Sequence, residues 1–216
     1  KIYVAPGNGG TALENKCENI NITVIDKLVE FAKNNDIHLT VVGPEDPLTK
    51  GITDKFKAEG LRCFGPDSEG AKLEGSKSFS KFFMKKYGVK TAEYEVFTNP
   101  EEALSYLYDC QYPIVIKADG LAAGKGVVIC ESKKDAMKAV QNLMIDDAFN
   151  GAGQKIVVEE FLEGVEASIL SICDGKRIIP FISAKDHKQI YDGGKGPNTG
   201  GMGVLAPNPY VTSEVM

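Results

Sequence analysis

The residues of this 216-residue chain best suited to chemistry run Lys117-Ala118-Asp119-Gly120-Leu121-Ala122-Ala123-Gly124-Lys125-Gly126-Val127. Apolar Ile114–Ala118 predicts a strand that delivers Lys117, and Val127–Cys130 predicts a second strand beside it. Between them, Gly120, Gly124 and Gly126 with Ala122 and Ala123 leave backbone N–H groups unhindered. Such groups can cradle phosphate oxygens, and Lys117 and Lys125 can add charge-assisted hydrogen bonds. The pattern is not a P-loop: G-x-x-x-x-G-K-[ST] is absent, and a strand follows where that motif needs a helix. A plain hairpin with surface lysines would not require so many small residues.

Two further segments carry the same kind of signal. Glu159-Glu160-Phe161-Leu162-Glu163-Gly164-Val165-Glu166 starts at a strand end. Its backbone can face the edge of a purine base, and a carboxylate a few residues on can accept ribose hydroxyls. Taken alone it also reads as a solvated acidic strand end; beside a phosphate loop it becomes a nucleotide-site candidate. Gly196-Pro197-Asn198-Thr199-Gly200-Gly201-Met202-Gly203 combines backbone donors with two polar side chains. Pro197, Asn198 and Met202 are poor choices for a mere flexible spacer. His187, between Asp186 and Lys188, reads either as a general base or as a residue that positions its neighbours. Glu45 and Asp46 read either as ribose ligands or as part of a turn set by Pro44 and Pro47. His38, before a buried strand, reads as structural.

The elements that must hold these groups fall into two patterns. Lys1–Ala5, Leu39–Val42 and Leu61–Phe64 read as strands, with helices over Ile25–Asn34 and Gly51–Glu59. That alternation predicts a doubly wound parallel sheet, with ligands beyond the carboxyl ends of its strands. The turns at 6–11 and 43–47 both lie there. A helix over Ser76–Tyr87 follows, with Phe79, Phe82, Phe83 and Tyr87 expected in the core. An α+β unit comes next: strand Tyr94–Phe97, helix Pro100–Tyr108, the two strands around the glycine turn, helix Lys133–Met144 and strand Lys155–Glu160. Glu166–Cys173 and Arg177–Ser183 predict a hairpin about Asp174-Gly175, and a long loop is expected from there to Pro207.

Composition narrows the function classes. There are 25 Lys plus Arg against 30 Asp plus Glu, a formal net charge of −5, and no basic block, which argues against nonspecific nucleic-acid binding. No apolar run is long enough to cross a bilayer. Five scattered cysteines, no C-x-x-C and two histidines make a Cys/His zinc site an unfavoured reading, and point to reduced, mostly buried thiols in a cytoplasmic protein. No strand–GxGxxG–helix unit supports a nicotinamide oxidoreductase.

Pro113–Val127, Glu159–Glu166, Asp186-His187-Lys188 and Gly196–Gly203 together resemble the phosphoribosylamine–glycine ligases, the glycinamide ribonucleotide synthetases of the ATP-grasp superfamily. Pro6-Gly7-Asn8-Gly9-Gly10-Thr11-Ala12, Val42-Gly43-Pro44-Glu45 and Phe64-Gly65-Pro66 resemble their amino-terminal domain, and Leu73-Glu74-Gly75-Ser76-Lys77 the helix entering the ATP-grasp part. The resemblance implies an α/β chain: an incomplete substrate-binding domain over residues 1–75, a linking helix over 76–89, an ATP-grasp lid over 90–162 and the start of the catalytic subdomain over 163–216. The region 90–160 is expected to close as a lid.

It also implies ATP-dependent joining of glycine to 5-phosphoribosylamine through a glycyl phosphate, in purine biosynthesis. Lys77 and Lys117 are then expected on the ATP phosphates, with the turn bearing Gly120, Ala123, Gly124, Lys125 and Gly126 folded over them. Glu159 is expected at the adenine amino group, Glu160, Phe161 and Leu162 beside the base, and Glu166 on the ribose. Phosphoribosylamine is expected near Asn8, Gly9, Gly10, Thr11, Gly43, Pro44, Glu45, Asp46, Asp186, Lys188, Pro197, Asn198, Thr199, Gly200, Gly201, Met202 and Gly203, with glycine nearby. The family extends past the positions of both Lys1 and Met216, and its Mg²⁺ or Mn²⁺ ligands lie beyond the latter. This segment alone is therefore expected to be inactive, and fusion to or association with other purine-pathway enzymes stays open. The alternatives are another ATP-grasp ligase or carboxylase, or a noncatalytic nucleotide-binding fragment.

Overall fold

The computed structural model describes residues 1–122, 126–146, 148 and 151–216. The chain divides into two compact units, Lys1–Ser80 and Lys81–Met216.

In the first unit, β1 (Ile2–Val4) pairs in parallel with β2 (Cys17–Asn19). Helix α1 (Ile25–Asn34) follows, then β3 (Thr40–Val41), α2 (Glu45–Thr49), α3 (Ile52–Ala58), β4 (Cys63–Phe64) and α4 (Ser68–Gly75). Strands β3 and β4 pair in parallel. Parallel pairing and alternation with helices are the features expected of the α/β domain. Short β2 and the single turn of α2 were not foreseen: three extended or five helical residues leave no periodicity to read. The apolar face of α1 buries Val29 and Ala32 against Leu48, Ile52, Phe56 and Ala71. Asp67 caps α4 by accepting from the Gly70 N–H, which satisfies one of the helix's orphan donors.

Helix α5 (Lys77–Lys86) runs across the boundary between the units. The aromatic stripe expected in the core is not buried there: Phe79 and Phe83 are half-buried and Phe82 and Tyr87 are 59% and 60% exposed, whereas Lys81 is buried. The helix turns a polar side inward because, as shown below, that side carries an ion pair.

The second unit is built on an antiparallel sheet. Its strands are β5 (Tyr94–Phe97), β6 (Ile114–Ala118), β7 (Val127–Cys130) and β8 (Ile156–Glu160), in the order β5-β8-β6-β7. Helices α6 (Pro100–Tyr108) and α7 (Lys133–Val140) cover one face. Asn99 starts α6 by accepting from the Glu101 and Glu102 N–H groups, and Pro100 occupies the first turn, where its missing donor costs nothing. Ser132 starts α7 in the same way. The helix expected to reach Met144 instead passes into a π-turn over Gln141–Ile145. Alternate β6 residues Ile114, Ile116 and Ala118 point into the core with Leu107, Val140, Leu143, Ile156 and Val158. Val115 and Lys117 therefore face the other side of the sheet.

Beyond β8, strands β9 (Ser171–Cys173) and β10 (Ile178–Pro180) form the expected hairpin. The long loop expected after it is instead ordered into two antiparallel ladders. In these β11 (Lys185–Asp186) pairs with β14 (Val204–Leu205), and β12 (Gln189–Tyr191) with β13 (Lys195–Asn198). Dense glycine masked these strands in the sequence. Gly193 and Gly194, both at positive φ, make the reversal between β12 and β13. The cysteines are all free, but only Cys130 is buried and Cys173 is exposed, so most are less enclosed than expected.

Candidate functional site

Three elements bring one carboxylate and two ammonium groups together on the sheet face away from α6 and α7. The β6–β8 register pairs Lys117 with Val157 and Val115 with Glu159. Lys117 and Glu159 are thus diagonal neighbours on one face, within reach of long side chains. Lys117 Nζ donates to Glu159 Oε2 at 2.9 Å. Lys81 Nζ, from α5, approaches the same oxygen at 3.1 Å. Lys81 Nζ also donates to Thr91 Oγ1 at 2.7 Å and to the Ala92 carbonyl at 3.2 Å, and stands 5.5 Å from the Tyr94 ring centroid. The Lys81 and Glu159 side chains are each 7% exposed, and that of Lys117 27%. Two ammonium groups against one carboxylate leave a net positive charge largely out of water. Uncompensated buried charge is costly, so this arrangement favours an incoming oxyanion.

Lys81 was missed by sequence reasoning, which placed Lys77 in the site and took the stretch around Lys81 as an apolar stripe. A signal did exist. Lys77 and Lys81 stand four apart, on one side of the helix, where like charges destabilise an isolated helix. Such a pair is relieved by an anionic partner. Lys77 itself is half-buried at the start of α5.

The glycine turn joins β6 to β7 as expected. The Ala118 N–H donates to the Gly126 carbonyl at 2.8 Å, and the Gly120 N–H to the Ala152 carbonyl at 3.2 Å. A Cβ on Gly126 would lie 2.7 Å from the Ala122 Cβ and 3.0 Å from the Ala118 Cβ, so only glycine fits there. Asp119 pairs with Lys155 at 3.4 Å, tying the base of the turn to the start of β8. Ala123, Gly124 and Lys125 lie outside the described residues.

At the other end of β8, the Glu160 N–H donates to the Glu93 carbonyl at 2.9 Å, and Glu160 Oε2 accepts from the Glu93 N–H. Phe161 is half-buried and Leu162 exposed. Glu166 forms an ion pair with Lys188. Its carbonyl accepts from Asn208 Nδ2 at 3.1 Å, and the same amide donates to the Ala184 carbonyl at 3.3 Å. Asn208, 2% exposed, is a second residue that sequence reasoning passed over. A lone Asn between two prolines offers no pattern to read.

The segments 186–188 and 198–203 come together through backbone pairing. Thr199 donates to the Lys188 carbonyl from both its N–H (2.7 Å) and its hydroxyl (2.9 Å). The Met202 N–H donates to the His187 carbonyl, and the His187 N–H to the Gly203 carbonyl. Asn198 and Gly196 belong to β13, as does Pro197. Gly200 is exposed, and Gly201, at φ +118°, receives the Thr199 hydroxyl oxygen as acceptor for its N–H. Asp186 lies 4.0 Å from Lys188 Nζ. His187 Nδ1 is 3.4 Å from the Gly203 carbonyl, a contact that orients the ring within this loop pair.

In the first unit, Asn8 Oδ1 accepts from the Gly10 and Thr11 N–H groups at 2.8 and 2.9 Å. Asn19 Nδ2 donates to the Asn8 carbonyl, and the Thr11 hydroxyl to Asn19 Oδ1. Gly9 is exposed within this turn. Gly43 and Pro44 lead into α2, with Glu45 and Asp46 in its first turn and Asp46 paired with Lys50 at 2.8 Å. The turn foreseen there is therefore a helix start.

Among the described residues, no group of three or more His, Cys, Asp or Glu is placed to hold a metal ion.

The four-stranded antiparallel sheet with helices on one face and paired lysines on the other defines an ATP-grasp type of nucleotide-binding fold. N5-carboxyaminoimidazole ribonucleotide synthetase from Thermus thermophilus superposes over 97% of this chain and 52% of its own, with TM-score 0.68 at 17% identity, a likeness of fold alone. The family models described as phosphoribosylglycinamide synthetase, N domain, and phosphoribosylglycinamide synthetase, ATP-grasp (A) domain, match residues 1–74 and 75–216. The chain belongs to the phosphoribosylglycinamide synthetase family. It is 68% identical over its full length to a phosphoribosylamine–glycine ligase of Clostridium acetobutylicum, covering 52% of that protein. The phosphoribosylamine–glycine ligase of Thermotoga maritima superposes with TM-score 0.79 at 35% identity, over 96% of this chain and 50% of that one. The chain spans about half the length of these relatives.

Proposed function

We propose that this chain is the nucleotide-binding half of an ATP-dependent ligase that joins glycine to 5-phosphoribosylamine. The observation that supports this most is the shared Glu159 oxygen between Lys81 and Lys117, in a chain whose whole length matches the synthetase family. In this reading a carboxylate oxygen of glycine attacks the γ-phosphorus of ATP and the bond to the ADP oxygen breaks. The amine nitrogen of phosphoribosylamine then attacks the acyl carbon, loses a proton and expels phosphate. Charge develops on the transferring phosphoryl oxygens, and preorganised cations and N–H donors lower that barrier.

Lys81 and Lys117 are assigned to the phosphates, with Lys77 at the entry to the same helix. The glycine turn is assigned to cover the phosphates, and the 159–162 segment to receive adenine. Glu166 is assigned to the ribose hydroxyls, which would take the place of Lys188 on its carboxylate. The 196–203 segment with Asp186 and Lys188 is assigned to phosphoribosylamine. So, within the first unit, are the turns 8–11 and 43–46. His187 is assigned a positioning role through its backbone link to Gly203. Magnesium or manganese would neutralise the phosphates when bound; the described residues offer no set of three or more His, Cys, Asp or Glu for it.

Comparison of glycine plus phosphoribosylamine with bicarbonate or formate as the stimulus of ATP hydrolysis tests the proposal in the full-length polypeptide. Stimulation by the first pair alone is expected. Stimulation by bicarbonate or formate would transfer the chain to another ATP-grasp activity.

A further inference from the structure

We propose that Glu159 is a positioning residue that assembles the phosphate-binding lysines, in addition to any contact it makes with the base. The inference rests on the reading of this site as an ATP site. Its ground is geometric. The two ammonium groups approach a single oxygen, Oε2, at 2.9 and 3.1 Å. They come from a helix and a strand far apart in sequence, and mutual repulsion would separate them without an anion between them. Lys81 is further held by Thr91 Oγ1 and the Ala92 carbonyl, so its head group is fixed on three sides. Lys117, more exposed and paired with Glu159 among the described residues, is the group that Glu159 holds in place.

A consequence separates this role from base recognition. A residue that only reads the purine matters to ATP and not to a polyphosphate without a base. A residue that sets the lysines matters to both. Inorganic tripolyphosphate is therefore the discriminating probe, measured as a competitor of ATP on the full-length polypeptide carrying this segment. Two variants are compared with wild type. Glu159→Gln removes the charge. Glu159→Asp keeps the charge but shortens the reach to two lysines, and retains an anion beside the two ammonium groups if the Gln variant does not fold.

The expected result is that tripolyphosphate and ATP both bind at least tenfold more weakly to either folded variant, with the KM for glycine unchanged. Tripolyphosphate affinity within twofold of wild type in Glu159→Asp, or in a folded Glu159→Gln, would overturn the positioning role while leaving the ATP site intact. Failure of tripolyphosphate to compete with ATP in the wild-type protein would instead overturn the phosphate-site assignment itself, and this inference with it.

Discussion

Lys81 and Lys117 show how a side chain acquires a function from its surroundings. Lys81 differs from no other lysine of its helix until Glu159 is placed between it and Lys117. Hydrogen bonds to charged groups contribute roughly 1.5–3 kcal/mol each. Replacing either lysine by Met in the full-length polypeptide should therefore weaken ATP use by about 10- to 150-fold, a range converted from that energy at 1.4 kcal/mol per tenfold. Initial rates against ATP concentration check this, and kinetics within twofold of wild type for Lys117→Met would remove it from the phosphate site. Lys117 was legible because it ends a strand before a glycine turn. Lys81 was not, since its burial depends on which side of α5 the sheet covers.

At the scale of elements, the strands that hold the site derive their rigidity from the opposite face. Ile114, Ile116 and Ala118 anchor β6 in the helix-covered core, and this fixes where Lys117 points. Cys130, at the end of β7, lies fully within that core, and burial pushes its thiol up to about 11. Thiolate is the reactive form, so Cys130 should resist alkylation near pH 8 in the native protein and react only on unfolding. The sign of the stability effect follows. The unfolded thiol releases its proton from about pH 8.5, and the buried one does so only near 11. Stability should therefore fall as pH rises through that interval. Mass-spectrometric mapping of iodoacetamide adducts with and without denaturant checks the first expectation, and rapid native modification of Cys130 would contradict the packing described for β7. The boundaries of β5, α6, β6 and β7 were readable because their apolar runs are bounded by a helix cap, prolines and a glycine turn. The ladders β11–β14 and β12–β13 were hidden because their pairing is set by partners far along the chain.

At the scale of the whole molecule, β6, β7 and β8 belong to one sheet, so nucleotide bound at the lysines should be felt where β6 leads toward β7. Lid closure around a reactive acyl phosphate would exclude water. Hydrogen exchange at residues 119–122 and 126–127 should slow on addition of ATP to the full-length polypeptide. Equal exchange with and without nucleotide would argue against a closing turn. A chain that spans half the length of its relatives is also expected to lack ligation by itself. An assay of residues 1–216 with ATP, glycine and phosphoribosylamine tests this, product formation being the contrary result.

The amino-acid sequence by itself determined the local elements, the glycine turn and the family, because strand and helix periodicity, capping residues and short contiguous motifs are written in neighbouring positions. Tertiary structure alone decided that Lys81 joins Lys117 at Glu159, that Phe82 and Tyr87 face outward, and that Asn208 holds Glu166 to Ala184. The first and last are contacts across many residues of chain, and the second is set by which side of the helix is covered. Their energies depend on desolvation and on the side of an element that is covered, quantities that exist only once the chain has folded.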